Sequence, residues 1–307
     1  MHLGVLDFGL ISRNKDPGAA IRETVQLAQL SEKLGFSRYW LAEHHEPYFA
    51  WASPEILAPL ILQQTNRIRV GVAGFLLHFY SPLKIAEIGR VLESLYPGRF
   101  DLGVAAGLSE EITRQALSPG FDLQHSQTTR LYGKKVVELI DYLRSRFPKG
   151  HRFANGPTPI GQRSPVVWLM GTGKGKGSMF LASSQGTAYS YSLFHGDSSE
   201  GPATLEEYRQ GFQASPELSE SCANIALTII CAETEAAAAH QRLFIEALKI
   251  VNAVNVCGTP EQCREQLLDL RHRYGVDECI LVPLWESFED RARTFRLLSE
   301  AFALAHS

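Results

Sequence analysis

The stretch "RIRVGVAGF" at residues 67–75 is followed by "SPLKIAEIGRVLESL" at 81–95 and by "RFDLGVAAG" at 99–107. We predict that the two outer segments are strands and that the middle one is a helix, which "YPG" at 96–98 ends. A strand, a helix and a second strand in this order imply a parallel crossover connection.

The same alternation of strand and helix runs along the whole chain. Eight segments are predicted as strands, at residues 2–9, 36–42, 67–75, 99–107, 165–171, 187–194, 223–232 and 277–284. Cores such as "VVWLM" and "CILV" are continuously apolar, which is typical of parallel strands that are buried on both faces. The simplest closed arrangement is an α/β fold, a (β/α)8 TIM barrel with insertions after strands 4 and 5. A doubly wound open sheet is the alternative, and no linker divides residues 1–307 into two domains.

Composition and charge exclude several classes of protein. Of 307 residues, 45% are hydrophobic and 21% are charged, as in ordinary globular domains. The net charge of -3 argues against nucleic acid and anionic membranes as partners. No apolar run approaches the roughly 20 residues that span a bilayer, and the start "MHLGVLDFGL" resembles no signal peptide. We therefore expect a cytoplasmic protein.

Five cysteines, at positions 222, 231, 257, 263 and 279, all lie in the last third of the chain. Their spacing fits no zinc motif, and their odd number argues against a disulfide framework. We interpret them as reduced thiols.

Two adjacent histidines, His44 and His45, follow the second predicted strand. In a barrel the loops after the strands form the catalytic rim. Consecutive strand residues point to opposite faces, so the pair cannot easily share a metal ion, and we predict no metal site. Either one imidazole performs acid/base chemistry, or both only cap the strand through hydrogen bonds.

The segment "MGTGKGKGS" at residues 170–178 has alternating glycines between a buried strand and a short helix. Glycine lets backbone N–H groups approach a ligand, and a helix N-terminus favours an anion. The segment matches neither standard phosphate-loop pattern, so it is either a phosphate site or only a flexible connection.

Aromatic residues are dense near the presumed rim, as expected of an apolar ligand pocket or of ordinary core. We predict that the substrate pocket contains Phe8, His45, Tyr48, Phe75 and Tyr191.

Four stretches together resemble the bacterial luciferase-like flavin-dependent monooxygenases, and in particular a subgroup associated with natural-product tailoring. They are "GFSRYWLAEHH" (35–45), "RIRVGVAGFLLHFYSPLKIAE" (67–87), "YPGRFDLG" (96–103) and "GTPEQCREQLLDLRHRYGVDECIL" (258–281). The resemblance implies a (β/α)8 barrel in which reduced FMN, supplied by a separate reductase, reacts with O2 and oxygenates a small organic substrate. It also implies a homodimer formed through early barrel helices.

The resemblance assigns roles to particular residues. His44 matches the family's catalytic histidine, which stabilises or protonates the peroxyflavin or acts as acid/base on the substrate. Ala73-Gly74 matches a cis peptide beneath the flavin ring, and the 171–178 loop matches the phosphate site. The implied cofactor-binding residues are Ala73, Gly74, Gly107, Gly171, Thr172, Gly173, Ser178 and Met179.

Two features depart from the family pattern. Ala105 and Ala106 stand where relatives usually have an arginine near the flavin, a loss for which Lys174 and Lys176 would compensate. The segment at 249–257 is short, so the mobile lid of luciferases is missing, and the loop at 148–165 is a candidate replacement.

Three other functions remain open. The first is hydride transfer with the deazaflavin F420 on the same fold. The second is a non-catalytic flavin-binding relative. The third is a metal-dependent hydrolase that uses Glu43, His44 and His45.

Overall fold

The computed structural model describes residues 1–10, 16–107, 111–118, 125–161, 163–172, 176–195, 199–248, 251–285 and 287–304. Its strands are β1 His2–Asp7, β2 Arg38–Leu41, β3 Arg69–Leu76, β4 Phe100–Ala105, β5 Val166–Thr172, β6 Ala188–Ser192, β7 Ala223–Cys231, β8 Val256–Gly258 and β9 Glu278–Pro283. Its helices are α1 Pro17–Lys33, α2 Pro54–Gln64, α3 Pro82–Leu95, α4 Glu111–Leu117, α5 His125–Arg144, α6 Gly177–Gln185, α7 Gly201–Gly211, α8 Glu235–Leu248, α9 Pro260–Tyr274 and α10 Phe288–Ala301, with the 3-10 helix η1 at Leu77–Phe79.

Eight parallel strands close into a barrel. Strands β1 to β7 pair in sequence order, β7 pairs with β9, and β9 returns to β1. The predicted (β/α)8 barrel is therefore confirmed, and the open sheet is excluded because both of its edges are paired. The three-residue strand β8 pairs with the end of β7 outside this ring. It was not predicted, since so short a segment carries little periodic signal.

Local signals in the sequence begin several helices. Proline occupies the first turn of α1, α2 and α3, where a missing N–H group breaks no hydrogen bond. The side chain of Asp16 accepts a hydrogen bond from the N–H group of Ala19, and Thr259 forms a capping box with Gln262. These signals explain why strand and helix alternate as expected.

The long connections differ partly from the prediction. The insertion after the fourth strand is present and carries α4 and α5. The prediction of an insertion after the fifth strand is wrong, because the described part of that connection holds only the short helix α6. The second long connection follows β7 instead, since α8, β8 and α9 all precede β9.

A charged layer fills the amino-terminal half of the barrel. The guanidinium of Arg38 lies 2.7 Å from Asp101 and 2.8 Å from Glu278, and Arg69 lies 2.6 Å from Asp101. Burial by itself raises the pKa of Asp101, but the two arginines outweigh this effect and the net pKa is lowered. This paired layer occupies the amino-terminal end of the barrel, opposite to the ends of the strands where the loops form the rim.

The loop at 148–165 lies at the same end of the barrel. Arg90 of α3 donates hydrogen bonds to the carbonyl groups of Leu143 and Gly161, at the two ends of this connection. A loop between a helix and the next strand reaches the amino-terminal ends of the strands, opposite to the rim that carries His44. The suggestion that this loop replaces the lid is therefore wrong.

The described helices differ in length or in polarity from a helix that spans a lipid bilayer. None in the described part of the chain combines the length and apolar character that crossing a bilayer requires.

Candidate active site

Loops from three strands meet at the carboxyl-terminal rim. Phe8 follows β1, His44 follows β2 and Phe194 follows β6. The ring of Phe8 stands edge-on to the imidazole of His44 with centroids 4.8 Å apart, and it lies 5.7 Å from the ring of Phe194. The strand ends thus bring His44 into an aromatic cluster, as barrel geometry predicts.

The imidazole of His44 also stacks on Phe49. Their centroids are 4.4 Å apart and their planes differ by 28°. The loop that carries Phe49 is held by an antiparallel bridge to Leu10 and by a 2.8 Å hydrogen bond from the N–H group of Ala50 to the carbonyl of Gly9. The loops after β1 and β2 therefore support each other around the histidine.

The surroundings of His44 favour its neutral form. Burial is the largest effect and outweighs the opposing charge of Glu46; with smaller contributions from His195 and His45, it lowers the pKa of His44 to about 4. The Nδ1 atom is buried and has no hydrogen-bond partner among the described residues. A neutral imidazole offers one N–H donor and one acceptor. His44 can thus exchange a proton or a hydrogen bond with a bound molecule near neutral pH.

Glu43 and His45 face away from His44. Nε2 of His45 lies 2.9 Å from Oε1 of Glu43, whose carboxylate also accepts hydrogen bonds from the N–H group of Leu76 and the hydroxyl of Tyr80, both at 3.0 Å. His45 is therefore not brought into the pocket, because side chains alternate along the extended segment. The same alternation separates His44 from Glu43 and His45, the other two groups that a metal-dependent hydrolase would need, and no cluster of metal ligands occurs among the described residues.

The peptide bond between Ala73 and Gly74 is cis, as the resemblance implies. It lies where the register of β3 against β4 shifts, between Val72 and Phe75. A Cβ atom on Gly74 would come within 2.8 Å of the backbone of Val104, so only glycine allows this close approach. Ala73 packs against the same cluster as Phe8 and Phe194.

The glycine-rich segment is only partly described, and Gly173 and Lys174 lie outside the described residues. Lys176 at the start of α6 makes no side-chain cap to the first turn among the described residues, and a helix N-terminus favours an anion. Ser178 lies in the first turn of α6 beside Tyr132, where its hydroxyl opposes the burial that raises the pKa of Tyr132. Lys176 forms an ion pair with Glu207 of α7, so its charge is already partnered.

Other predicted cofactor residues face neighbouring protein instead. Met179 is fully buried in the packing between helices and strands. A Cβ atom on Gly171 would overlap Tyr189, and one on Gly107 would lie 2.7 Å from Leu76. Thr172 is half-buried at the end of β5. The absence of larger side chains at Gly171 and Gly107 is thus explained by packing alone.

The residues predicted to line the substrate pocket do not all lie together in the structure. Phe75 and Tyr191 point outward into the layer between strands and helices, where Phe75 contacts Tyr80 and Tyr191 contacts Tyr274. The register shift in β3 and the alternation along β6 explain this orientation. Tyr48 is half-exposed beside the loop. Of the predicted set, Phe8 makes a ring contact with His44.

Phe49, Phe194 and Met170 were not in the predicted pocket set, although Phe49 and Phe194 belong to the aromatic residues expected near the rim, and all three lie in or against the cluster around Phe8. Alternation along the strands points to Met170, since it shares a face with the lumen-facing Trp168. The position of Phe49 depends on loop pairing, which no local pattern reveals.

Comparison with known proteins agrees with this geometry. A sequence model described as luciferase-like monooxygenase matches residues 1–249. The chain is 34% identical to the uncharacterized protein YwcH of Bacillus subtilis, over 98% of this chain and 99% of that protein. It is 28% identical to the N-acetyl-S-alkylcysteine monooxygenase of the same organism, over 99% of each. The structure of apo-MsnO8 superposes with a TM-score of 0.83 and 29% identity, over 100% of this chain and 99% of that one. The chain therefore belongs to the luciferase-like monooxygenase family.

Proposed function

We propose that this protein is a flavin-dependent monooxygenase in which His44 is the acid/base group. Its cofactor is reduced FMN from a separate reductase, and its substrates are O2 and a small organic molecule with an apolar or aromatic body. The observation that carries the proposal is the buried, neutral His44, whose free Nδ1 lies in the aromatic cluster at the rim. Family membership supports an oxidoreductase that uses O2.

The chain offers groups that fit a flavin. The first turn of α6, which has no side-chain cap among the described residues, suits the phosphate, and we assign the ring to the Ala73–Gly74 segment of β3, where Ala73 packs against the cluster that contains Phe8. A solved neighbour, the oxygenating constituent of the 3,6-diketocamphane monooxygenase of Pseudomonas putida, has been described in complex with FMN; its TM-score is 0.73 at 15% identity, so the likeness concerns the fold. When bound, the reduced flavin supplies electrons and activates O2.

The residues around His44 prepare the site for proton transfer. Phe8 and Phe49 contact the imidazole and Phe194 packs on Phe8, and this apolar surface excludes water and strengthens polar interactions inside. Neutral His44 accepts a proton from, or donates a hydrogen bond to, the group that reacts in front of it. A cytoplasmic location remains a prediction from the sequence.

An F420-dependent oxidoreductase is the second candidate. An F420-dependent secondary alcohol dehydrogenase superposes with a TM-score of 0.68 at 17% identity, in complex with an F420-acetone adduct. Ala105 and Ala106 provide no charge where relatives carry an arginine, and the charge of Lys176 is paired with Glu207. Both features would weaken the binding of FMN and so favour the second candidate. Oxygen consumption separates the candidates, since only the monooxygenase requires O2.

The predicted homodimer has a suitable surface. Ile56 and Leu60 on α2, and Val91 and Leu95 on α3, are each at least half exposed. The two helices are linked by a hydrogen bond between Tyr96 and Gln63. Exposed apolar side chains on adjoining helices are typical of a protein interface, and we infer that two copies join here.

The first experiment is a titration of the purified protein with oxidised and with anaerobically reduced FMN, followed by fluorescence. We expect the reduced form to bind with a Kd below about 100 µM. Weaker binding of both forms would contradict the FMN proposal, and tight binding of F420 instead would establish the second candidate.

A further inference from the structure

The carboxylate of Glu43 joins the ends of two neighbouring strands. It belongs to the segment after β2, directly before His44, and its side chain is almost fully buried. Its Oε2 accepts the N–H group of Leu76, the last residue of β3, and its Oε1 accepts the hydroxyl of Tyr80 just beyond η1. One side chain thus connects the segment that carries His44 to the segment that follows the cis bond.

The partners of Glu43 are themselves anchored. Leu76 comes two residues after Gly74, whose backbone packs directly on Val104. The ammonium group of Lys135 on α5 donates to the carbonyls of His78 and Tyr80, at 2.6 and 2.9 Å. The segment after β3 is therefore fixed to β4 and to α5. The carboxylate of Glu43 links this segment by hydrogen bonds to the segment that carries His44.

We propose that Glu43 is a positioning residue that sets the place of His44 relative to the cis Ala73–Gly74 segment. The catalytic consequence rests on the proposed function, because these two elements are the acid/base group and the surface assigned to the flavin. Hydrogen bonds from Leu76, His45 and Tyr80 satisfy the buried carboxylate, which holds the arrangement in one geometry. Misplacement by a fraction of an ångström is enough to slow a reaction that depends on alignment.

The test compares three variants of the full-length protein. Tyr80→Phe removes one donor to Glu43 and leaves the residues next to His44 unchanged. Glu43→Gln keeps the shape of the side chain and removes its charge. Glu93→Gln is the matched control, because Glu93 is also buried and accepts a backbone N–H group, that of Gly98 at 2.9 Å. Glu93 lies near the amino-terminal end of the barrel, away from His44.

The first measurement is the NMR signal of the His44 imidazole in flavin-free protein, assigned by its loss in His44→Phe. We expect it to move in Tyr80→Phe and in Glu43→Gln and to stay in place in Glu93→Gln. An unchanged signal in Tyr80→Phe would overturn the proposal. Since no flavin is needed, this outcome is independent of whether the protein binds FMN.

The second measurement is flavin-dependent product formation. We expect Glu43→Gln to slow it about tenfold, with thermal stability lowered no more than in Glu93→Gln. In a His44→Ala background the same substitution should have no further effect, because the two residues act through one group. Additive effects of the two substitutions would mean that Glu43 acts independently of His44.

Discussion

The imidazole of His44 lies against the ring of Phe49, with centroids 4.4 Å apart and an angle of 28° between the planes. Phe49 belongs to a loop that is held by Gly9 and Leu10 from the neighbouring strand end. The contact between them therefore couples the packing of two loops to the protonation of one side chain.

Replacing Phe49 should change the pKa of His44. Phe49→Ala admits water to the imidazole, so we expect its pKa to rise from about 4 toward the ordinary value of 6.5. Phe49→Leu keeps the surroundings apolar and should leave most of the depression in place. NMR titration of His44 measures both. Equal values in the two variants would show that Phe49 does not control the desolvation.

Stability should fall in acid because His44 is neutral in the folded protein. Its pKa is lowered from 6.5 to about 4, so the unfolded state binds more protons between these values. The contribution of this group to the free energy of unfolding, on the order of 1–3 kcal/mol, is then lost as the pH falls from about 6.5 to 4.

His44→Phe should remove that share of the pH dependence, as measured by urea unfolding at pH 7 and pH 5. His78, whose pKa burial also lowers to about 4, will still contribute in the variant. His240→Phe, at an exposed position, is the control. An unchanged difference between the two pH values in His44→Phe would contradict the assignment.

Loss of His44 should slow the reaction without releasing the cofactor. Removing a group that transfers a proton typically costs about 10²–10⁴-fold in rate, and we expect this range for His44→Ala. The measurement is product formation from isotope-labelled O2 with a flavin reductase present, together with the Kd for reduced FMN. Wild-type turnover in the variant would rule out a catalytic role for His44.

A negative charge at the start of α6 should weaken binding of the phosphate. Gly177 is exposed and a Cβ atom there meets none of the described residues within 4 Å, so Gly177→Glu should fit without a clash. An acidic residue stabilises a helix N-terminus, so the melting temperature should hold or rise while FMN affinity falls about tenfold or more.

Two controls separate charge from shape in that experiment. Gly177→Ala adds a side chain without charge and should retain FMN binding. Riboflavin, which lacks the phosphate, should bind wild type and Gly177→Glu equally well. Equal FMN affinities of Gly177→Glu and Gly177→Ala would place the phosphate elsewhere.

Charges on the α2–α3 surface should separate the proposed dimer. Leu60→Glu with Leu95→Glu places two carboxylates in the apolar patch, and a repeated like charge across a symmetric interface is strongly unfavourable. Light scattering should report a monomer with unchanged circular dichroism. Leu243→Glu on α8, at a similarly exposed position, should leave the dimer intact. Monomeric wild-type protein would refute this interface.

The sequence by itself determined the barrel and the rim that carries the site. Continuous apolar strands and alternating helices dictate parallel pairing, and strand periodicity separates His44 from Glu43 and His45. The cis bond at Ala73–Gly74 followed from family resemblance. The strand and helix periodicities depend on neighbours in the chain, so a local pattern records them, whereas the cis bond was only what the resemblance implied.

Only the tertiary structure decided which side chains surround His44. Phe49 lies beside His44 because its loop pairs with Leu10, and Phe75 points outward because the register of β3 shifts against β4. Lys176 is drawn to Glu207 on a different helix. Each outcome depends on contacts between segments far apart in the chain, whose energies no periodicity encodes. The fold class was therefore readable from the sequence, while the composition of the pocket was set by packing.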